Sequence, residues 1–85
     1  MILFIVLTKG INMEYFAEPA EFDFFDYMMG NDDAFMHALF DAIFYATPED
    51  KEKLRKGYPD HVHVVESYQT VEGYFKTICV KVENS

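Results

Sequence analysis

The sequence predicts a mostly helical α+β domain, with three to four helices and a small β element formed by its two ends. Three observations lead to this fold class. Apolar residues recur at helical spacing between residues 19 and 68, a proline or a capping residue precedes each helical run, and a run of strand-forming residues lies near each terminus. Since no linker or repeat is evident, we expect residues 1–85 to form a single domain.

The first predicted element is the apolar run at residues 2–7, Ile-Leu-Phe-Ile-Val-Leu. This run is too short to cross a bilayer, which needs about 20 apolar residues, and no basic segment precedes it as in a signal peptide. We therefore predict a buried strand. The alternative is that translation starts at Met13, which would make residues 1–12 a non-native extension.

Two helices are predicted next, over residues 19–29 and 34–46. Pro19 suits the first turn of a helix, where its missing N–H leaves no hydrogen bond unmade, and Gly30 suits the C-terminal cap. The segment 31–33, Asn-Asp-Asp, supplies capping side chains for the second helix. Apolar residues cover nearly every face of that helix, so we expect it to be the central helix or to contact a partner as well.

Two further helical segments follow. Thr47 and Pro48 have the pattern of an N-cap and a first helical residue, and the charged helix that they open should end at Gly57 with most of its surface in solvent. The segment 58–60, Tyr-Pro-Asp, indicates another helix start. The β-branched run at 61–65 would also suit a strand, but the helical spacing of its apolar residues favours a helix.

The C-terminal region contains the clearest strand prediction, over residues 74–82, with residues 2–7 as its expected partner. Cys79, the only cysteine of the chain, lies in this run and is expected to be a small buried hydrophobe. One cysteine cannot form an intramolecular disulfide, and no Cys or His spacing typical of a zinc site occurs. These features predict a cytoplasmic protein.

The net charge of −8 is distributed unevenly along the chain. Ten acidic residues and no Lys or Arg lie between Gly10 and Asp50. Because phosphate contacts need a clustered basic face, this distribution argues against direct binding to nucleic acid or to an anionic membrane. The acids form either an ordinary solvated surface or a surface that occupies a basic groove on a partner protein.

The second of these interpretations includes nucleic-acid mimicry, in which carboxylates replace phosphates in the cationic channel of a nuclease. Acids alternate with aromatics at residues 21–27, Glu-Phe-Asp-Phe-Phe-Asp-Tyr. The candidate partner-binding residues of the first half are Glu14, Tyr15, Glu18, Glu21, Asp23, Asp26, Tyr27, Asp32 and Asp33. The nine Phe, six Tyr and five Met would also suit an apolar interface, including that of a homodimer.

No catalytic residue, metal ligand or cofactor is predicted. Asp41 is the best candidate for a catalytic carboxylate because its helix is apolar, and His37 lies one turn earlier, but such pairs are usually structural. His61 and His63 would share a face only on a strand, where a weak metal site becomes conceivable. A small hydrolase or metal-binding protein is therefore a third hypothesis.

Three short motifs follow one another between residues 31 and 68. Residues 33–35 begin an apolar helix, residues 42–50 end it in an alanine-containing turn, and residues 53–60, followed by Val62, form a glycine-aromatic-proline-acid step into the next helix. In this order they resemble a segment of small accessory proteins encoded by bacteriophages and prophages. The resemblance covers under half of the chain and transfers no functional residue.

The resemblance implies a mobile-element origin and a bacterial host cell, in which short acidic proteins often bind and block a host enzyme. The leading hypothesis is a non-enzymatic interaction protein of phage or prophage type, which uses a protein-protein surface of acids and exposed aromatics. The alternative is a nucleic-acid-mimicking inhibitor of a host defence nuclease or another nucleic-acid-binding protein, of the anti-CRISPR or anti-restriction type.

Overall fold

The computed structural model describes residues 16–85, which form five α-helices and contain no strand. The helices are α1 (Pro19–Met29), α2 (Ala34–Tyr45), α3 (Pro48–Gly57), α4 (Pro59–Thr70) and α5 (Tyr74–Asn84). The predicted α+β class with three to four helices is therefore wrong for this part of the chain. Residues 1–15, which include the strand predicted at 2–7, lie outside the described residues.

The strand predicted at 74–82 lies entirely within α5, for a reason that is visible in its packing. Phe75, Ile78 and Val82 recur at helical spacing and contact the core, where Ile78 is completely buried. Gly73 starts the helix from a left-handed backbone, with φ of 78°. Burial of this stripe against α1 and α4 outweighs the weak strand preference of the β-branched residues.

The other helices begin where the local capping signals predict. The helix predicted at 19–29 is confirmed, with Pro19 at its first position and Gly30 in a left-handed C-cap with φ of 79°. The Thr47 side chain accepts a hydrogen bond from the backbone N–H of Asp50 and so caps α3. The run at 61–65 is helical, as its spacing favoured.

The core is centred on α4, which packs against each of the other four helices. Phe24, Phe40, Ile43, Val65 and Ile78 are among its fully buried side chains. Of the two options predicted for the second helix, a central position or an additional partner contact, the central position is occupied by α4 instead. Because α2 packs on α1 and α4 only along one side, its opposite side is left in solvent.

Helices α1 and α5 lie side by side and run in opposite directions. The backbone N–H of Ala17 donates to Ser85 Oγ at 3.1 Å, at one end of the pair. At the other end, the rings of Phe25 and Phe75 stack with centroids 6.2 Å apart. These contacts fix α1, and with it the α1–α2 turn, against the rest of the domain.

Candidate protein-binding surface

The solvent face of α2 is apolar, which is unusual for a surface helix. Phe35, Ala38, Ala42 and Tyr45 are spaced three, four and three residues apart, so they line one face of the helix, and all four are exposed. Tyr45 is 86% exposed and Phe35 is 57% exposed. A helix at a protein surface normally presents polar residues to solvent, so this face requires an explanation.

An open groove adjoins this face where the C-terminal part of α1 meets α2 and α4. Its volume is about 460 Å³, and its lining is mostly aromatic. The residues that line it, called here the aromatic groove, are Tyr27, Met28, Asp41, Phe44, Tyr45 and Tyr68. Tyr45 belongs to both the groove and the exposed face of α2, so the two features form one continuous surface.

The polar part of the groove is a tyrosine-carboxylate pair. The Tyr27 hydroxyl donates a hydrogen bond of 2.6 Å to Asp41 Oδ1. Burial, and then this contact with the Asp41 carboxylate, raise the pKa of Tyr27 to about 12. The acidic residue of the groove is Asp41, whose side chain is 43% exposed.

The predicted contact between His37 and Asp41 is present, and it extends to a second acid. His37 Nε2 lies 3.4 Å from Asp41 Oδ2, and His37 Nδ1 lies 3.3 Å from Asp32 Oδ2. The second distance is within ion-pair range, yet Asp32 Oδ2 is buried and has no hydrogen-bond partner. Together with the Tyr27 hydroxyl, these contacts form a chain of polar side chains that links α1, the α1–α2 turn and α2.

Glu21, one of the predicted partner-binding acids, is buried instead of exposed. Its carboxylate accepts hydrogen bonds from Lys81 Nζ at 3.0 Å, from the Tyr74 hydroxyl at 3.3 Å and from the backbone N–H of Glu18 at 2.9 Å. Burial, and then the Glu21 carboxylate, raise the pKa of Tyr74 to about 12. Glu21 therefore connects α1 with α5 and is not accessible to a partner.

Some of the remaining predicted acids make contacts within the domain, and four of them line a recess near the α1–α2 turn. Asp23 lies 2.9 Å from His61 Nε2, and Asp33 caps α2 by accepting from the backbone N–H of Met36. Glu18 is exposed at the start of α1, while Glu14 and Tyr15 lie outside the described residues. A recess of about 210 Å³ is lined by Asp23, Asp26, Asn31, Asp32, Asp33 and Met36, so four of the predicted acids do come together.

The histidines on α4 do not converge on a common site. His61 points to Asp23 on α1, whereas His63 is exposed and lies 3.5 Å from Ser67 Oγ. Within residues 16–85, no three His, Cys, Asp or Glu side chains are arranged to hold a metal ion. No helix in this part of the chain is long and apolar enough to cross a membrane.

Only part of this surface was predictable from the sequence. Tyr27 was a candidate partner-binding residue and Tyr68 was among the tyrosines expected to stay partly exposed, but Met28, Phe44 and Tyr45 were not candidates, because their convergence depends on how three helices pack. The available signal was the all-round apolar pattern of the second helix, which predicted either a central position or a partner contact. The exposed face of α2 is the feature expected from the second option.

The fold and the surface together define a small acidic helical domain whose most unusual exposed feature is apolar. No family model, curated protein or solved structure matches this chain. The resemblance of residues 31–68 to phage and prophage accessory proteins therefore stays a prediction.

Proposed function

We propose that this protein is a non-enzymatic interaction protein that binds another protein through the aromatic groove and the exposed face of α2. The observation that carries the proposal is the exposure of Phe35 and Tyr45 beside a groove lined by Met28 and further aromatic rings. Tyr, Phe and Met are enriched at the buried centres of protein interfaces, where a few such side chains provide most of the affinity. Covering one side chain of this size contributes about 1.5–3 kcal/mol.

In accord with the resemblance stated for residues 31–68, we place this activity in a bacterial cell that carries a phage or prophage. The protein would act by occupying a surface of a host protein rather than by catalysis. The polar chain from Tyr27 through Asp41 to His37 is consistent with this assignment, because its members contact one another within the domain.

A second candidate function is nucleic-acid mimicry, which the acidic recess favours. Four acids of α1 and the α1–α2 turn line this recess together. Burial of Asp32 and the His61 contact of Asp23 reduce the charge that a partner could reach. Inhibition of a nuclease would therefore depend on Asp26, Asp33 and the exposed acids around them.

The test is site-specific photo-crosslinking in a bacterial lysate. A photoreactive phenylalanine analogue replaces Tyr45, and a matched control carries it at Val80, which is exposed on α5 and does not line the groove. We expect one protein to be crosslinked at position 45 and not at position 80, with an undiminished yield when irradiation is carried out at high salt. The proposal is wrong if both positions give the same set of adducts or none. A nucleic-acid enzyme that is crosslinked at low salt but not when irradiation is carried out at high salt would favour mimicry, because exposed charge contacts are screened within about 8–10 Å at physiological ionic strength.

A further inference from the structure

The aromatic groove lies between α1 and α2, which have no positive charge apart from histidine, and α4, where Lys51 Nζ donates to Gln69 Oε1 at 3.3 Å, one residue from Tyr68. Helices α1 and α2 contain no Lys or Arg, and seven acids lie between residues 16 and 45. The described Lys and Arg residues are on α3 and α5, and they are Lys51, Lys53, Arg55, Lys56, Lys76 and Lys81. An occupant of the groove therefore meets a negative potential that no neighbouring cation on α1 or α2 cancels.

Asp41 brings this charge into the groove itself. Its Oδ1 atom accepts the Tyr27 hydroxyl, while Oδ2 lies 3.4 Å from an imidazole nitrogen of His37, on a side chain that is 57% exposed. The carboxylate is partly accessible, and it can accept a charge-assisted hydrogen bond from a cation that enters the groove. The groove thus offers an apolar wall and one accessible carboxylate. A partner segment that carries an apolar side chain with a Lys or Arg beside it would be complementary to both features.

The shape of the surface favours a helix over an extended segment. Phe35, Ala38, Ala42 and Tyr45 repeat at three- and four-residue intervals, and small residues lie between the two large ones. A partner helix can approach closely at the two alanines and insert side chains beside Phe35 and Tyr45. No described residue supplies an unpaired sheet edge to which an extended segment could add.

We propose that the occupant is a basic amphipathic helix of the partner protein. Its apolar face lies on α2 and in the groove, and one of its Lys or Arg side chains pairs with Asp41. This inference rests on the proposed function and specifies the chemistry of the partner. A second copy of this chain is a poorer complement, because each copy carries a net charge of −8 and α2 has no Lys or Arg to face Asp41.

The experiment uses three fluorescent synthetic peptides of about 18 residues, or five helical turns. One has a leucine face and a lysine face, the second has glutamate in place of lysine, and the third is a scrambled form of the first. Binding to the full chain is measured by fluorescence anisotropy at physiological salt. We expect the basic amphipathic peptide to bind at least about tenfold more tightly than either control.

Variants of the protein locate the binding. Tyr45→Ser should weaken binding of the basic amphipathic peptide at least about tenfold, whereas Val80→Ser, a matched change on α5, should leave it unchanged. Asp41→Asn should reduce the preference for lysine over glutamate. Equal binding of the amphipathic and scrambled basic peptides, or of the basic and acidic peptides, would overturn the inference.

Two further outcomes separate this inference from the proposed function. If no basic peptide binds up to about 1 mM while crosslinking at position 45 still captures a partner, only the basic helix is wrong. Sedimentation equilibrium then tests the second copy, since a dimer that Tyr45→Ser dissociates would assign the groove to self-association. If position 45 captures nothing, no peptide binds and the chain is monomeric, both proposals fail.

Discussion

Helices α2 and α3 follow one another in the chain, and their solvent faces are opposite in character. The outer face of α3 is charged, and this helix has no buried residue. Arg55 on α3 donates two hydrogen bonds of 2.8 Å to Glu66 on α4 and two more, of 2.9 and 3.2 Å, to Glu52 Oε2. The outer face of α2 carries Phe35, two alanines and Tyr45, and His37 and Asp41 lie partly exposed along its edge.

The solvent faces of α2 and α3 differ in how well they suit contact with water. Helix α3 exposes charges, as a surface helix normally does, and its Arg55 pairs within the domain. Helix α2 has no pairing of this kind for its apolar face, so within the domain that face stays in contact with water. The apolar face of α2 is therefore the more informative of the two about function. Three predictions test the contrast between the structural contacts and this face, from the largest effect on stability to the smallest.

The largest effect on stability is expected at the ion pair between Glu21 on α1 and Lys81 on α5, because α1 and α2 contain no Lys or Arg that could replace Lys81. Lys81→Met leaves the Glu21 carboxylate, which is 8% exposed, without its charged partner. Removing one member of a buried ion pair is strongly destabilising, and we expect the free energy of unfolding to fall by about 3 kcal/mol in urea titrations.

The matched control for this prediction is on α3. Lys53 Nζ lies 4.0 Å from Glu49, and both side chains are mostly exposed. Lys53→Met should therefore change the free energy of unfolding by less than about 0.5 kcal/mol. Equal effects of the two substitutions would show that the Glu21–Lys81 pair is no more important than a surface pair.

The second prediction concerns the Arg55–Glu66 contact between α3 and α4. The hydrogen bonds from Arg55 hold the pKa of Glu66 below its ordinary value of 4.5. A lowered folded-state pKa stabilises the fold above the unfolded value, and this contribution is lost as the pH falls through the folded value. Glu66→Gln should therefore unfold at a lower temperature than the wild type at neutral pH, and the difference should close as the pH falls below 4.5 and through the lowered folded-state pKa.

Thermal unfolding followed by circular dichroism across this pH range tests the sign directly. High salt should also reduce the difference at neutral pH, because the pair is partly exposed. A difference that is constant from neutral to acid pH would mean that Glu66 acts through packing rather than through its charge.

The smallest effect on stability is expected for substitution of Tyr45, although the same substitution should weaken partner binding strongly. Tyr45 is 86% exposed, so Tyr45→Ser should change the free energy of unfolding by less than about 0.5 kcal/mol. Urea titration of this variant beside the wild type measures the change. A loss above about 1 kcal/mol would show that Tyr45 supports the core, and the face of α2 would no longer need a partner.

The sequence was sufficient for features that depend on near neighbours. The bounds of α1 follow from Pro19 and Gly30, and the start of α3 follows from Thr47, because caps act within one turn of the helix. The helix at α5 was missed because its β-branched residues favour a strand locally. What decides the outcome is the packing of Ile78 and Phe75 against distant helices.

The candidate site was less predictable for the same reason. The residue that neutralises Glu21 lies 60 positions further along the chain, so nothing near Glu21 indicates that it is buried. The lining of the groove comes from three helices, and no local pattern brings Met28 beside Tyr45 and Tyr68. The apolar character of α2 was visible in the sequence, but which of its faces stays exposed was not.

The antiparallel arrangement of α1 and α5 determines how this domain responds to mechanical force. A force that separates residue 17 from residue 85 acts first on the Ala17–Ser85 hydrogen bond, then on the Glu21–Lys81 pair and last on the Phe25–Phe75 stack. The three contacts therefore bear the force one after another rather than simultaneously. Helix α5 should therefore peel away at low force, beginning at its C-terminal end.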